Sequence, residues 1–187
     1  MKELLDYITT IHDISVESKI ALEEICSHES IKKNTDLQPI GHTCKTIYFV
    51  VKGGLRIYYY KDGIDITEIF EFENSIVARV ESLFSGRPSR KAIQGIEDTE
   101  LIAINANRLF ELYDTSPELE RLFRKIFEDA YVKTVNRIES LQFHTAEQRY
   151  HQLIKDHPEV LKRVPLKHIA SYLGITQVSL SRIRARR

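Results

Sequence analysis

Residues 165–187, PLKHIASYLGITQVSLSRIRARR, carry a dense set of hydrogen-bond donors. Ile169, Leu173, Ile175, Leu180 and Ile183 recur at helical spacing and read as a buried set, which leaves Gln177, Ser179, Ser181, Arg182, Arg184 and Arg186 facing outward. Amide, hydroxyl and guanidinium groups donate to acceptors on base edges and to phosphate oxygens, so the pattern supports reading of a nucleic-acid groove. The plainer reading is a helical hairpin whose arginines are simply solvated. Charge weighs on the choice. Between His144 and Arg187 nine lysines and arginines stand against three acids, although the whole chain is neutral with 27 of each sign. A basic end on an acidic body fits one module that meets phosphate and another that does not.

Such donors need two crossed helices beneath them. Pro165 opens a short helix over Leu166–Leu173, Ala170 supplies the small residue where a second helix crosses, and Gly174 permits a positive φ at the turn. Thr176 is placed to cap the second helix, Gln177 to about Arg186, whose N-terminus also attracts phosphate. Upstream, Thr145-Ala146-Glu147-Gln148 has the form of a capping box, starting a helix that stops before His157-Pro158.

From Glu118 to about Phe143 there is neither Gly nor Pro, and Ser116-Pro117 marks the start. Leu119, Leu122, Phe123, Ile126, Phe127, Ala130, Val135, Ile138 and Leu141 trace an apolar stripe over about seven turns. A parallel coiled coil with a second copy would use that stripe, and so would packing against the chain's own β-rich part. That part is signalled by β-branched and aromatic runs at Thr46–Lys52, Leu55–Tyr60, Ile64–Phe72, Ser75–Val80, Lys91–Ile96 and Thr99–Ala106. Gly53-Gly54 and Asp62-Gly63 between them read as hairpin turns. Short, evenly spaced strands without intervening helices predict an antiparallel jelly roll or barrel. Residues 1 to about 30 read as helical, with Ser15 capping a helix that gathers Val16, Ile20, Leu22, Ile25 and Cys26 near one face.

Several function classes are excluded. With 42% hydrophobic and 29% charged residues the chain is an ordinary globular sequence, no apolar run approaches a membrane span, and the N-terminus lacks a signal-peptide core. A cytoplasmic protein without membrane contact is expected. Cys26 and Cys44 are too few for an Fe–S or zinc ligand set and are expected to be reduced structural thiols. The seven histidines show no ligand-spaced pairing that would hold a haem, and only His42 lies near the strands where a cupin-type metal would sit. No catalytic triad, Gly-rich phosphate loop or nucleophile elbow is present, so no enzyme, catalytic residue or metal site is expected.

IASYLGIT followed by SLSRIR resembles the C-terminal motif of the Crp/Fnr regulators, and the order of elements read above resembles that family over nearly the whole chain. The resemblance implies an α+β fold in three parts: N-terminal helices and a cyclic-nucleotide-binding-like jelly roll over 1–115, a dimerisation helix over 116–143, and a helix-turn-helix over 144–187 that lacks a clear wing. It implies a homodimeric transcription regulator on double-stranded DNA, with RNA polymerase as a further partner. Gln177, Ser181 and Arg182 would read bases, Arg182 at a guanine, while Ser179, Lys167 and His168 would touch the backbone. Family members follow the second helix with a β-hairpin wing that this sequence does not continue into. Affinity would then lean on Arg184, Arg186 and Arg187. An adaptor that contacts protein instead of DNA is the competing reading of the same architecture.

The resemblance also places an effector pocket at SIVARVESLFSGRPSRKA, residues 75–92. Phe84 and Arg90 keep the family's Phe and phosphate-binding Arg. The family's Gly, Glu and Ser become Arg79, Val80 and Lys91, so the pocket reads as degenerate and no cofactor is expected. If it binds a cyclic nucleotide, Arg90 takes the phosphate, Glu81 a hydroxyl, and Thr134 of the dimer helix lies near the base. If it does not, Glu81 and Arg90 pair with each other, or Arg79, Arg87, Arg90 and Lys91 attract a different anion.

Overall fold

The structure is a computed structural model that describes residues 1–185; Arg186 and Arg187 lie outside the described residues. Asp62 and Gly63 both take positive φ, +52° and +76°. Lys61 pairs with Ile64 across them, so the expected primed turn joins β4 (Leu55–Lys61) to β5 (Ile64–Glu71). Gly53-Gly54 does something else. β3 (Thr46–Lys52) belongs to the opposite sheet, and the two glycines carry the chain between sheets. A Cβ on Gly53 (φ +97°) would lie 2.7 Å from the Asp98 carbonyl, and one on Gly54 2.9 Å from the Ile96 and Phe72 side chains. Close approach, and not a hairpin, explains the pair.

Before β3 come α1 (Lys2–Ile11), α2 (Val16–Glu24), β1 (Cys26–Ile31) and β2 (Asp36–Gln38). After β5 come β6 (Ile76–Val77), α3 (Val80–Ser85), β7 (Ala92–Gly95), β8 (Thr99–Asn105) and α4 (Ala106–Tyr113). The helical part is α5 (Pro117–Phe143), α6 (Ala146–Asp156), α7 (Val160–Arg163), α8 (Leu166–Tyr172) and α9 (Gln177–Ala185). Two four-stranded antiparallel sheets, ordered β1-β8-β3-β6 and β2-β7-β4-β5, close over Tyr48, Val50, Leu55, Ile57, Ile93 and Leu101. This is the expected jelly roll.

Three local readings are corrected. The N-terminal helices end at Glu24, and Cys26–Ile31 is an edge strand paired along β8. Val16 and Ile20 are exposed while Leu22 and Ile25 are buried, so the α2 face is narrower than its sequence implies. The strand read over Ser75–Val80 shrinks to Ile76–Val77 because Val80–Ser85 turns helical. Both cysteines are free, and burial with the Glu23 charge pushes the Cys26 thiol up to about 12, which keeps it an unreactive thiol.

The stripe on α5 divides. Leu119, Leu122, Phe123 and Ile126 are buried in a core shared with α1, α2, α4, β3 and β8. Tyr131, Ile138, Leu141 and Phe143, on the later turns, are exposed.

Candidate nucleic-acid interface

The helix-turn-helix is built on Ile169, Ala170, Leu173 and Leu180, all buried, with Ile175 and Ile183 half-buried beside them. Gly174 takes φ +69° and closes α8 in a Schellman turn: its N–H donates to the Ser171 carbonyl at 3.0 Å, and Ile175 N–H donates to Ala170 at 3.0 Å. Thr176 caps α9, its Oγ1 accepting from Ser179 N at 3.2 Å. The start of α6 carries the expected capping box between Thr145 and Gln148. Tyr150 and Leu153 of α6 join Val160 and Val164 in the same core.

Gln177, Ser181, Arg182 and Arg184 are exposed on α9, as are Thr176 and Lys167. Ser179 is half-buried, with its hydroxyl 3.1 Å from Thr176 Oγ1, so it serves the cap. Val178 does not stand out in the sequence, yet it is 61% exposed beside Gln177 on the same face. Apolar side chains contact the thymine methyl, the one signal that points to it.

His168 is a correction. It is buried against β4 and β5, not turned toward a DNA backbone. Its Nδ1 lies 2.9 Å from Nη1 of Arg56, whose guanidinium is 3% exposed and binds both oxygens of Asp65 at 2.5 and 2.7 Å. A guanidinium only donates, so Nδ1 accepts and the ring is neutral. Burial, then the Arg56 charge, push the His168 pKa down to about 4. Burial alone would raise the Asp65 carboxyl, but the Arg56 hydrogen bonds and charge outweigh it and hold it below its ordinary value. Ser171 Oγ accepts from Thr67 N at 3.1 Å, and the Arg163 guanidinium, 2.7 and 2.5 Å from Glu73 and Glu97, ties α7 to the same sheet.

This predicts a pH dependence. Because His168 titrates lower when folded than its ordinary 6.5, the unfolded chain binds the extra proton. Stability contributed above pH 6.5 is therefore lost as pH falls towards 4, on the order of 2–3 kcal/mol. Thermal unfolding of wild type and His168→Gln between pH 7.5 and 4.5 checks it: wild type should lose more, and parallel curves would refute the assignment.

No protein-family model and no curated protein matches the sequence. Solved structures do match. FixK2 from Bradyrhizobium japonicum superposes with a TM-score of 0.75 at 19% identity, covering 87% of this chain and 84% of that one. A putative transcriptional regulator of the Crp/Fnr family from Eubacterium rectale gives 0.72 at 18%, covering 93% and 83%. The c-di-GMP responsive global regulator CLP of Xanthomonas campestris gives 0.72 at 16%, covering 92% and 91%. This chain has the Crp/Fnr fold. The likeness spans jelly roll, long helix and helix-turn-helix together, the arrangement expected from sequence.

Within the Crp/Fnr fold the expected effector residues do not all converge. Arg79 is buried, 3.7 Å from Glu68 Oε2 and 3.4 Å from Ser89 Oγ. Lys91 Nζ lies 2.5 Å from Glu68 Oε1. The carboxylate that neutralises this end of the roll is thus Glu68, which nothing in the sequence marks out, and Glu68 Oε2 is buried without a hydrogen-bond partner. Glu81, Arg87 and Arg90 are exposed, and the expected Glu81–Arg90 pair gives way to the Glu68 contacts. Thr134 is exposed on α5 and donates to the Ala130 carbonyl at 2.9 Å. Among the described residues no group of His, Cys, Asp and Glu side chains gathers as a metal site, and no helix is long and apolar enough to cross a membrane.

Proposed function

We propose that this chain is a sequence-specific, double-stranded-DNA-binding transcription regulator that acts as a homodimer and carries no catalytic activity. The observation that carries the reading is α9, a capped helix on a buried hairpin whose free face holds Gln177, Val178, Ser181, Arg182 and Arg184. Gln177, Ser181 and Arg182 read base edges, Val178 meets a thymine methyl, and Lys167, Arg184 and the capped helix end contact phosphate. Phe127, Tyr131, Thr134, Ile138 and Leu141 alternate spacings of four and three along α5, the seam of a parallel coiled coil. A groove of about 460 Å³ beside that seam, lined by Phe84, Tyr113, Phe127 and Tyr131, supports the same face as the dimer contact. Two recognition helices then lie about one DNA turn apart, roughly 34 Å. The test is selection from random duplex DNA followed by sequencing. Enrichment of a two-fold-related site supports the reading; no enrichment, with steady protein binding that salt does not weaken, favours the protein-contacting adaptor.

By the same proposal, Glu68 governs whether a small anionic effector enters the jelly roll. An anion reaches Arg79 and Lys91 only by displacing the Glu68 carboxylate. Wild type should bind a fluorescent cyclic nucleotide only weakly. Glu68→Gln should bind it about ten- to a hundredfold tighter, the scale of a charge-assisted hydrogen bond. Equal affinity in the two proteins would remove Glu68 from this role.

A further inference from the structure

Tyr172 ends α8 immediately before the turn, and its ring lies between two elements from outside the helix-turn-helix. Phe70 of β5 packs on it with centroids 5.2 Å apart, and the Arg137 guanidinium of α5 stacks 3.9 Å from the ring centroid. Arg137 Nη2 also donates to the Tyr172 backbone carbonyl. The next carbonyl, Leu173, accepts from Arg149 Nε and Nη2 at 3.2 and 2.7 Å, while Arg149 Nη1 reaches the His144 carbonyl at 2.5 Å. These carbonyls sit at a helix C-terminus, where intrahelical partners run out and cationic donors bind well. One residue later, Gly174 redirects the chain into α9.

We propose that Arg137 is a positioning residue for DNA recognition, fixing the distance and angle between the two recognition helices of a dimer. The inference rests on the DNA-binding, dimeric reading above and deepens it. Arg56 with His168, and Thr67 with Ser171, hold α8 to the β sheet of its own protomer. Arg137 comes instead from α5, adjacent to the seam residue Ile138, so it links the dimer contact to the turn that aims α9. Both of its interactions need arginine: a planar group to stack on the ring, and a fork that can donate sideways while stacked. Lysine would keep the charge and lose this geometry.

The test is selection from a library in which the two half-sites are separated by spacers of varied length. Wild type should favour its best spacing over neighbours by about five- to tenfold or more, the scale of a coupling free energy. Arg137→Ala and Arg137→Lys should keep the half-site sequence and flatten the spacing preference. Tyr172→Phe, which retains ring and carbonyl, should keep both. Asp129→Ala, which removes an exposed pair with Lys133 on the same helix and lies off the seam, should also keep both. Circular dichroism confirms that each variant is folded. A site enriched by wild type whose spacing preference persists in Arg137→Ala overturns the inference alone. Loss of half-site sequence in a folded Arg137→Ala also overturns it, because the damage then lies within α9. No enriched site for wild type overturns the DNA-binding reading and this inference with it.

Discussion

Arg182→Ala should sharply reduce sequence selectivity while leaving the fold intact. Arg182 is exposed on α9, so its removal opens no cavity in the core. A bidentate arginine–guanine pair discriminates by about 1–3 kcal/mol, and a dimer forfeits it in both half-sites, so specific affinity should fall by roughly thirtyfold to more than a thousandfold. Non-specific binding should fall far less. Lys167→Ala makes the contrast: with one phosphate partner removed from each protomer, the salt slope should fall by about one per protomer while the preferred sequence stays the same. Titrations against the selected site and a scrambled duplex, each over a range of salt, read both effects. If Arg182→Ala weakens the two duplexes equally, Arg182 contacts backbone and the base-reading role belongs elsewhere on α9.

Glutamate at Ile138 and Leu141 should produce a monomer. Both side chains are about half exposed in the protomer, 50% and 47%, so the substitutions cost it little. Across a coiled-coil seam the same charges would face their symmetry mates, desolvated and repelling. Sedimentation should show the mass halved. Affinity for the full site should drop by at least about a hundredfold, because one half-site then carries the binding alone. A double variant that keeps wild-type mass and affinity would place the dimer contact elsewhere.

The helix-turn-helix is legible in the sequence because its determinants are local. Gly174, Thr176 and the buried aliphatics all lie within a few residues of one another, and each takes the expected place. The Asp62-Gly63 hairpin is legible for the same reason. What the sequence conceals is set by distant partners. His168 looks like a surface histidine beside Lys167, and only the fold brings Arg56, 112 positions earlier, against it. Glu68 lies on a strand where a carboxylate is ordinarily solvated, and its meaning depends on Arg79 and Lys91 arriving from beyond the next turn. β1 gives no strand signal because CSHESI is mostly polar; as an edge strand with four exposed central residues it needs little else. The α5 stripe is apolar as its sequence implies, but its division between an inner core and an open face depends on where the jelly roll ends against it.

Under the proposed function, that division has a consequence for how the protein responds to its own abundance. The first turns of α5 are anchored by Leu119, Leu122, Phe123 and Ile126, so each protomer completes its β-rich core unaided. The later turns leave their apolar residues exposed, and the proposed second copy would cover them. Association is then governed by mass action, separately from folding. While the copy number lies below the dissociation constant of the pair, occupancy of a two-half-site operator rises with the square of protomer concentration. A twofold change in synthesis becomes about a fourfold change at the operator, with no effector involved.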